Sequence, residues 1–319
     1  MAKNILFITG TRIGDAILSS GLLAHLVEAH PHARFTVACG APAAPLFQAA
    51  PRLDKLIVIR KQSFKAHWLS LWLACVGTRW EIVVDLRRSG LSWLLWARYR
   101  HIKGAAISGL HRVEEDASAL GLDQAPDPHI WVDAAAEAAA AAVIPGDRSV
   151  LAIGPTANWG AKEWRAEHFA ALVERLTAPD GILPGAMIAL MGGPDERGRA
   201  RDLIDAVPDD RLIDLFGQPL PAAFASMRRC AMYIGNDSGL MHLAAASGAP
   251  TLGLFGPSPE QRYRPWGKKA ALARTRESYS ELVDAPDFDH RNQVTLMDGL
   301  TVDATVQAAE DLWRRCAGL

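Results

Sequence analysis

Residues 233–259, YIGNDSGLMHLAAASGAPTLGLFGPSP, hold two apolar runs joined by a segment that begins with Asn236, Asp237, Ser238 and Gly239. The first run ends near Gly235 and reads as a strand. "GLMHLAAA" reads as a helix with Asp237 or Ser238 at its N-cap. Gly248 closes that helix, and Pro250 precedes a second strand, "TLGLF". The result is a βαβ unit whose right-handed crossover puts the loops "GNDSG" and "FGPSP" on the same sheet edge. Around Ser238, Gly239 and Leu240 the first amides of the helix lack helical partners, so donors and dipole together favour a phosphate. Gly239 has no side chain to block its approach. Asp237 would repel that phosphate if aimed at it, which assigns it to sugar hydroxyls beside a diphosphate. His242, one turn into the helix, fits either a donor to a phosphate oxygen or a packed core histidine.

Outward from this unit the same alternation continues in both directions. Towards the N-terminus stand "NILFIT", a helix through "DAILSSGLLAHLVEAH", then "RFTVAC", "KLIVI", a Trp-rich helical stretch and "EIVVDL". This pattern predicts a parallel sheet covered by helices. An alanine-rich helix, "DAAAEAAAAAV", stops where Pro145 and Gly146 break it, so a domain boundary is predicted there. A second alternation follows through "SVLAIGPT", "RAEHFAALVERL", "AMIALMGG", "DERGRARDLIDAV", "RLIDLFG", "LPAAFASMRRC" and "AMYIGN". The last segment is one amphipathic helix with Thr301 or Asp303 near its start. The chain is thus read as doubly wound α/β domains over 1–146 and 147–300, and a C-terminal helix over 301–319. Ligands of such sheets sit at the carboxyl ends of the strands, so chemistry is sought in the loops that follow strands.

Composition narrows the class. The chain has 319 residues, half of them apolar, and a formal net charge of −1. That suits a two-domain globular protein with no global field to recruit nucleic acid. Cys39, Cys75, Cys230 and Cys316 lie far apart with no CxxC spacing and read as reduced, mostly buried thiols. "MAKNILFITG" passes straight into a strand without the apolar region of a signal peptide, which predicts a cytoplasmic chain. No apolar run approaches the ~20 residues needed to span a bilayer. "HWLSLWLACV" and "LSWLLWARYR" are short and flanked by basic residues. They read either as helices with core-facing Trp and Leu or as segments lying on a membrane surface.

Three further loops carry candidate chemistry. In "FITGTRIGDAILSSG", Gly10 and Gly14 follow the first strand and Asp15 opens the next helix. The dinucleotide fingerprint G-x-G-x-x-G is absent, which removes the main support for a nicotinamide oxidoreductase. An aspartate at a helix N-terminus is held as the anion, as a general base or simply as a first-turn acid. The glycines, which let backbone and ligand come close, favour the former. In "AIGPTANWGAKEWRAEHF", Thr156 follows a strand, and Lys162 reads either as a solvated surface lysine or as a cation that neutralises a departing diphosphate across a cleft from Asp15. In "MGGPDERG", Glu196 is a candidate partner of ribose hydroxyls. Arg60, Lys61 and Lys65 in "VIRKQSFKAHW" and Arg87 in "VVDLRRSG" form a basic, Trp-containing cluster, which by itself reads as ordinary surface charge.

The stretches "ILFITGTRIGDAILSSGLL", "GPTANWGAKEW", "LMGGPDER" and "NDSGLMHLAAASGAPTLGLFGPSP" together resemble, in order and over almost the whole chain, the motifs of family 9 glycosyltransferases, the bacterial ADP-heptose:lipopolysaccharide heptosyltransferases. The resemblance implies a GT-B fold, two Rossmann-like domains facing across a cleft, the first binding the acceptor and the second the nucleotide sugar. It implies inverting transfer without a metal or cofactor. Asp15 then resembles the base, Lys162 the lysine on the donor phosphates and Glu196 the ribose contact. Gly14, Thr156, Asp237, Ser238, Gly239 and His242 complete the donor site. The resemblance also implies that the cluster of Arg60, Lys61, Lys65 and Arg87 is the surface for an acidic, lipid-linked acceptor. The implied partners are ADP-heptose or another nucleotide sugar and a lipid-linked saccharide, met at the inner membrane surface. "DFD" at Asp287–Asp289 is similar to the metal-binding DxD of other glycosyltransferases, but it lies in a late polar loop and is not read as a metal site. A binding protein without catalysis would keep the 236–242 loop and have no use for Asp15.

Overall fold

Strands that are buried on both faces read as unbroken apolar runs, and two all-parallel sheets are built from such runs. The computed structural model describes residues 3–60, 66–144, 146–284, 289 and 294–318. Among them the strands are β1 (Asn4–Ile8), β2 (Arg34–Gly40), β3 (Leu53–Ile59), β4 (Trp80–Asp85), β5 (Ala97–Ile102), β6 (Val150–Gly154), β7 (Met187–Leu190), β8 (Leu212–Asp214), β9 (Met232–Asn236), β10 (Thr251–Phe255) and β11 (Ala270–Arg274). The α-helices are α1 (Ile13–Ala29), α2 (Ala66–Cys75), α3 (Arg112–Ser118), α4 (Ala134–Val143), α5 (Ala166–Thr177), α6 (Arg201–Ala206), α7 (Leu220–Met227), α8 (Gly239–Ser247), α9 (Glu260–Tyr263), α10 (Tyr279–Val283) and α11 (Val302–Ala317). None is long and apolar enough to cross a membrane.

The chain divides into residues 1–133 and 134–319. The first unit orders its strands β3-β2-β1-β4-β5, and the second orders its strands β11-β10-β9-β6-β7-β8. In each, successive crossovers run outward to one side and then start again on the other. The reversal falls between β1 and β4 in the first unit and between β6 and β9 in the second. At such a reversal the two helices leave on opposite faces and the loops above open a crevice, which is where doubly wound sheets bind ligands.

The middle strands carry the cores. Ile5, Leu6, Phe7 and Ile8 of β1 are wholly buried, as are Val150 to Ile153 of β6 and Met232 to Ile234 of β9. Helix α1 is apolar around most of its circumference and is buried accordingly. By contrast α5 and α11 are amphipathic. Phe169, Leu172, Val173 and Leu176 on one, and Val306, Ala309 and Leu312 on the other, close the same core. Each such side chain contributes about 1.5–3 kcal/mol by leaving water. Thr301 caps α11 as expected, its hydroxyl accepting from the Ala304 amide at 3.2 Å.

Three expectations change. Helix α4 belongs to the second unit, where it packs on α7 and Glu137 pairs with Arg228 at 2.8 Å. The units therefore part before the alanine-rich helix and not after it at 146. Its apolar face, Ala136 and Ala140, is small enough to lie close against another helix, and that partner is in the second unit. Helix α11 is packed on α5 and β11 as part of the same unit, so 301–319 is not a separate piece. "LSWLLWARYR" is not a helix: a 3-10 turn at Leu91–Leu94 leads into the edge strand β5, and Trp93 and Trp96 face outward. Cys39, Cys75 and Cys230 are buried free thiols, with burial pushing Cys75 up to about 11 and the other two to about 12.

Candidate active site

In the first unit the β1–α1 loop runs from Thr9 to Arg12, and Asp15 falls in the first turn of α1, beside Gly14. Gly10 makes this geometry possible, because a Cβ there would lie 2.5 Å from that of Asp15. The loop above β4, across the sheet reversal, is shaped by Asp85. This buried carboxylate accepts from the amides of Arg87 and Ser89 at 2.9 and 3.0 Å and from the Ser89 hydroxyl at 2.7 Å. The turn so formed sends the Arg87 guanidinium to the Thr11 hydroxyl at 2.8 Å. Arg87 and the Asp15 loop, singled out separately in the sequence, thus meet at one reversal. Arg60 is exposed at the end of β3. Lys61 and Lys65 lie outside the described residues.

Asp15 has a neighbour that sequence reasoning did not name. Arg112 at the start of α3 places Nη2 3.7 Å from its Oδ1. The same guanidinium reaches Asp116 at 3.2 Å and Glu115 at 3.8 Å, and Lys103 bonds those two acids at 2.6 and 3.0 Å. Glu115 and Asp116 are buried, and these two cations, with the Ile107 amide donating to Glu115 at 3.3 Å, are among their partners there. Burial, partly offset by Arg112 and Lys103, pushes the Asp116 carboxyl above its ordinary range. Three carboxylates thus share two cations, and Asp15 is the member most open to solvent. The run "HRVEED" offers a signal in retrospect: His111 caps α3 and Glu114 answers its amide at 2.8 Å, a capping box that starts a helix and turns the next two acids inward. No local pattern points to Lys103.

In the second unit Thr156, Lys162, Glu196, Asp237, Ser238 and Gly239 all lie beyond the carboxyl ends of β6, β7 and β9. Lys162 Nζ donates to Asp237 Oδ2 at 2.6 Å across the β6/β9 reversal. The loop carrying the lysine is held on three sides. Asn236, buried at the end of β9, donates to the Pro155 carbonyl at 2.8 Å and accepts from the Trp164 amide at 3.1 Å. Leu296 donates its amide to the Ala161 carbonyl, and the Trp164 indole donates to the Leu300 carbonyl, at 2.9 and 2.8 Å. Glu196 accepts from the Thr156 hydroxyl at 2.7 Å and the Gly193 amide at 2.8 Å, and pairs with Arg199 at 2.9 Å.

Ser238 occupies the N-cap position of α8 with extended backbone, but its hydroxyl makes no capping bond to the helix. The first-turn amides keep their capacity for an anion. The Ser238 hydroxyl lies instead towards the buried Tyr233 phenol, whose ionisation is pushed out of reach by burial. That phenol fits only because Gly154 and Gly235 flank it: a Cβ on either would lie 1.9 or 2.6 Å from the phenol oxygen. His242 is buried in α8. Asp287 of "DFD" lies outside the described residues, and among those described no group of three or more His, Cys, Asp or Glu side chains could hold a metal ion.

Two doubly wound units, each with polar residues gathered over its sheet reversal, define a GT-B architecture. Residues 56–290 match glycosyltransferase family 9 (heptosyltransferase), and the chain belongs to that family. A lipooligosaccharide heptosyltransferase 2 of Haemophilus influenzae is 30% identical over 172 residues, which span 52% of this chain and 48% of that protein. The matched stretch is thus about half the length of this curated relative. Among solved structures, a family 9 glycosyl transferase from Veillonella parvula is 21% identical with a TM-score of 0.80, covering 98% of this chain and 97% of the other. The E. coli ADP-heptose lipopolysaccharide heptosyltransferase II is 20% identical with a TM-score of 0.75, covering 98% and 99%. At these identities the structural likeness carries the fold.

Proposed function

We propose that this chain is an inverting glycosyltransferase that moves a heptose from ADP-heptose to a sugar of the lipopolysaccharide core, working at the cytoplasmic face of the inner membrane where a lipid-linked acceptor resides. The observation that carries the reading is the lysine held by Asp237 over the β6/β9 reversal, beside a helix start that no side chain caps. A cation and free amides in one place suit a diphosphate. Glu196 and Thr156, already hydrogen-bonded to each other, serve the ribose, and Gly14 lets donor and backbone come close. His242 sits in the same helix as the phosphate amides.

The chemistry follows from the leaving group. Asp15 takes the proton of the acceptor hydroxyl as its oxygen attacks the anomeric carbon. The bond from that carbon to the diphosphate oxygen breaks, and ADP departs with the electron pair. Lys162 and the α8 amides offset the charge that develops on it. A glycosidase needs a second carboxyl group to protonate its leaving group, whereas a nucleoside diphosphate needs none. Arg60 and Arg87 are assigned to the acidic acceptor, together with Lys61 and Lys65, which lie outside the described residues. The similarity to a lipooligosaccharide heptosyltransferase 2 and to an ADP-heptose lipopolysaccharide heptosyltransferase II supports ADP-heptose and a lipopolysaccharide acceptor. The same site with another nucleotide sugar or glycan is the alternative.

Thermal stability against ADP, UDP, GDP and CMP, with and without attached sugars, tests the donor. A ligand at a hundred times its Kd stabilises the native state by about 2.7 kcal/mol. The expected result is a shift with ADP and ADP-heptose alone. A shift with UDP or GDP overturns the donor, and no shift with any nucleotide overturns the reading. A product assay with ADP-heptose separates catalysis from binding alone.

A further inference from the structure

Helix α2 has two apolar faces where a surface helix needs one. Leu71 and Cys75 point into the first unit's core, with Trp68 and Trp72 packed at its margin. On the other side Leu69, Leu73 and Val76 are exposed at helical spacing. Trp72 borders both faces, and its indole donates to the Leu94 carbonyl at 3.3 Å, which joins the helix to the segment before β5. There the 3-10 turn buries Leu91 and Ser92 and turns Trp93 and Leu94 outward, then Leu95 inward and Trp96 outward. Leu69, Leu73, Trp93, Leu94 and Trp96 are each between 60% and 70% exposed. Scattered apolar residues on a surface mean little, but a joined patch of leucine and tryptophan marks a place that something covers.

The rim says what covers it. The Arg79 guanidinium lies 4.1 Å from the centre of the Trp96 ring. Arg88 and Arg98 are exposed, and Lys55 reaches the Ala74 carbonyl at 3.5 Å at the end of α2. From Lys55 to Arg100 the sequence has nine Lys and Arg against two Asp and Glu, in a chain whose net charge is −1. Of the two acids, Asp85 is buried and Glu81 is paired with Lys3 and Arg98. Five of the ten tryptophans fall in the same stretch. A second copy of this face would bring one basic rim against another. A bilayer with anionic headgroups offers acyl chains to the leucines, the interfacial zone to the tryptophans and negative charge to the rim.

We propose that the outer face of α2 and residues 93–96 form a docking surface that enters the headgroup region of an anionic bilayer. The proposal takes its setting from the lipid-linked acceptor, but the surface is defined by these residues alone. Vesicles carrying neither donor nor acceptor therefore test it separately. The full chain should sediment with phosphatidylcholine vesicles that contain phosphatidylglycerol and much less with phosphatidylcholine alone. Its tryptophan emission should be quenched by lipids brominated in the acyl chains. Leu73→Ser with Trp93→Ser and Leu94→Ser should lower vesicle partition by at least ~100-fold, since three apolar side chains no longer leave water. Arg79→Glu and Arg98→Glu should each lower it about fivefold or more and reduce the dependence on phosphatidylglycerol. On a water-soluble acceptor all these variants should transfer at the wild-type rate.

No partition of the wild type at low salt, partition unchanged in the triple variant, or a wild-type dimer that the triple variant converts to monomers would each overturn the proposal. The last would assign the patch to a second copy. A chain that binds vesicles but transfers nothing keeps the surface and loses the transferase reading. A chain that transfers without binding vesicles loses only the surface.

Discussion

The two sheet reversals treat their aspartates differently. Above β1 and β4, Asp15 is 29% exposed and stands 3.7 Å from an arginine already committed to two buried acids. Above β6 and β9, Asp237 is 8% exposed and holds a lysine at 2.6 Å. The first arrangement leaves a carboxylate accessible, as the proton removal proposed for it requires. The second spends its carboxylate on orienting a cation, as binding an anion requires. One topology, used twice, thus yields an accessible aspartate beside an arginine in one unit and a lysine–aspartate pair in the other. We propose the first as a proton acceptor and the second as an anion site.

The contrast breaks most sharply at Asp15. Asp15→Asn should lower turnover by about 10²–10⁴-fold, the usual worth of a general base, while ADP affinity measured by calorimetry stays within a factor of two or so. Equal losses in both would erase the distinction between the two reversals.

Next in size is the buried support. Lys103→Met removes one of the two cations paired with Glu115 and Asp116 and should destabilise the protein by about 3–5 kcal/mol, read as a lower midpoint in urea. A loss below about 1 kcal/mol would mean that the remaining partners sustain the acids.

At the other reversal, Lys162→Ala should weaken ADP binding about 10–100-fold, with a smaller stability loss of roughly 1.5–3 kcal/mol from the charge left on Asp237. Unchanged ADP affinity would remove the lysine from the anion site.

The smallest effect is a slope with pH. Burial raises the folded-state pKa of Asp116 above the ordinary 3.8, so its contribution to stability is present in acid and lost as pH rises through the folded value. Asp116→Asn, which resembles the protonated form, should therefore gain in melting temperature relative to wild type as pH climbs from about 4. A difference that shrinks with rising pH would reverse the sign and make Lys103 and Arg112 the dominant influence.

Much of this was legible from residue order. Asp15, Thr156, Lys162, Glu196, Asp237, Ser238 and Gly239 are found in loops or first helical turns at the carboxyl ends of strands, because strand ends and helix starts are written in short stretches of glycine, cap residues and apolar runs. Other features were not legible. Lys103 and Tyr233 show no local signal, and Arg112 is marked only in retrospect by the capping box in "HRVEED". Ser238 occupies a cap position without acting as a cap, and the allegiance of α4 was misread. The tryptophans of 93–96 were read as core residues or as membrane-facing ones, and nothing in the alternation chose between them.

The amino-acid order by itself determined two parallel α/β units and the loops that carry polar chemistry, since hydrogen-bond periodicity and helix capping act over a few residues. Only the tertiary structure decided the partners. Lys162 meets Asp237 across 75 positions and Arg87 meets Thr11 across 76, because β6 lies against β9 and β1 against β4. Which charge faces which follows from strand adjacency, and adjacency is settled by burying the whole sheet at once.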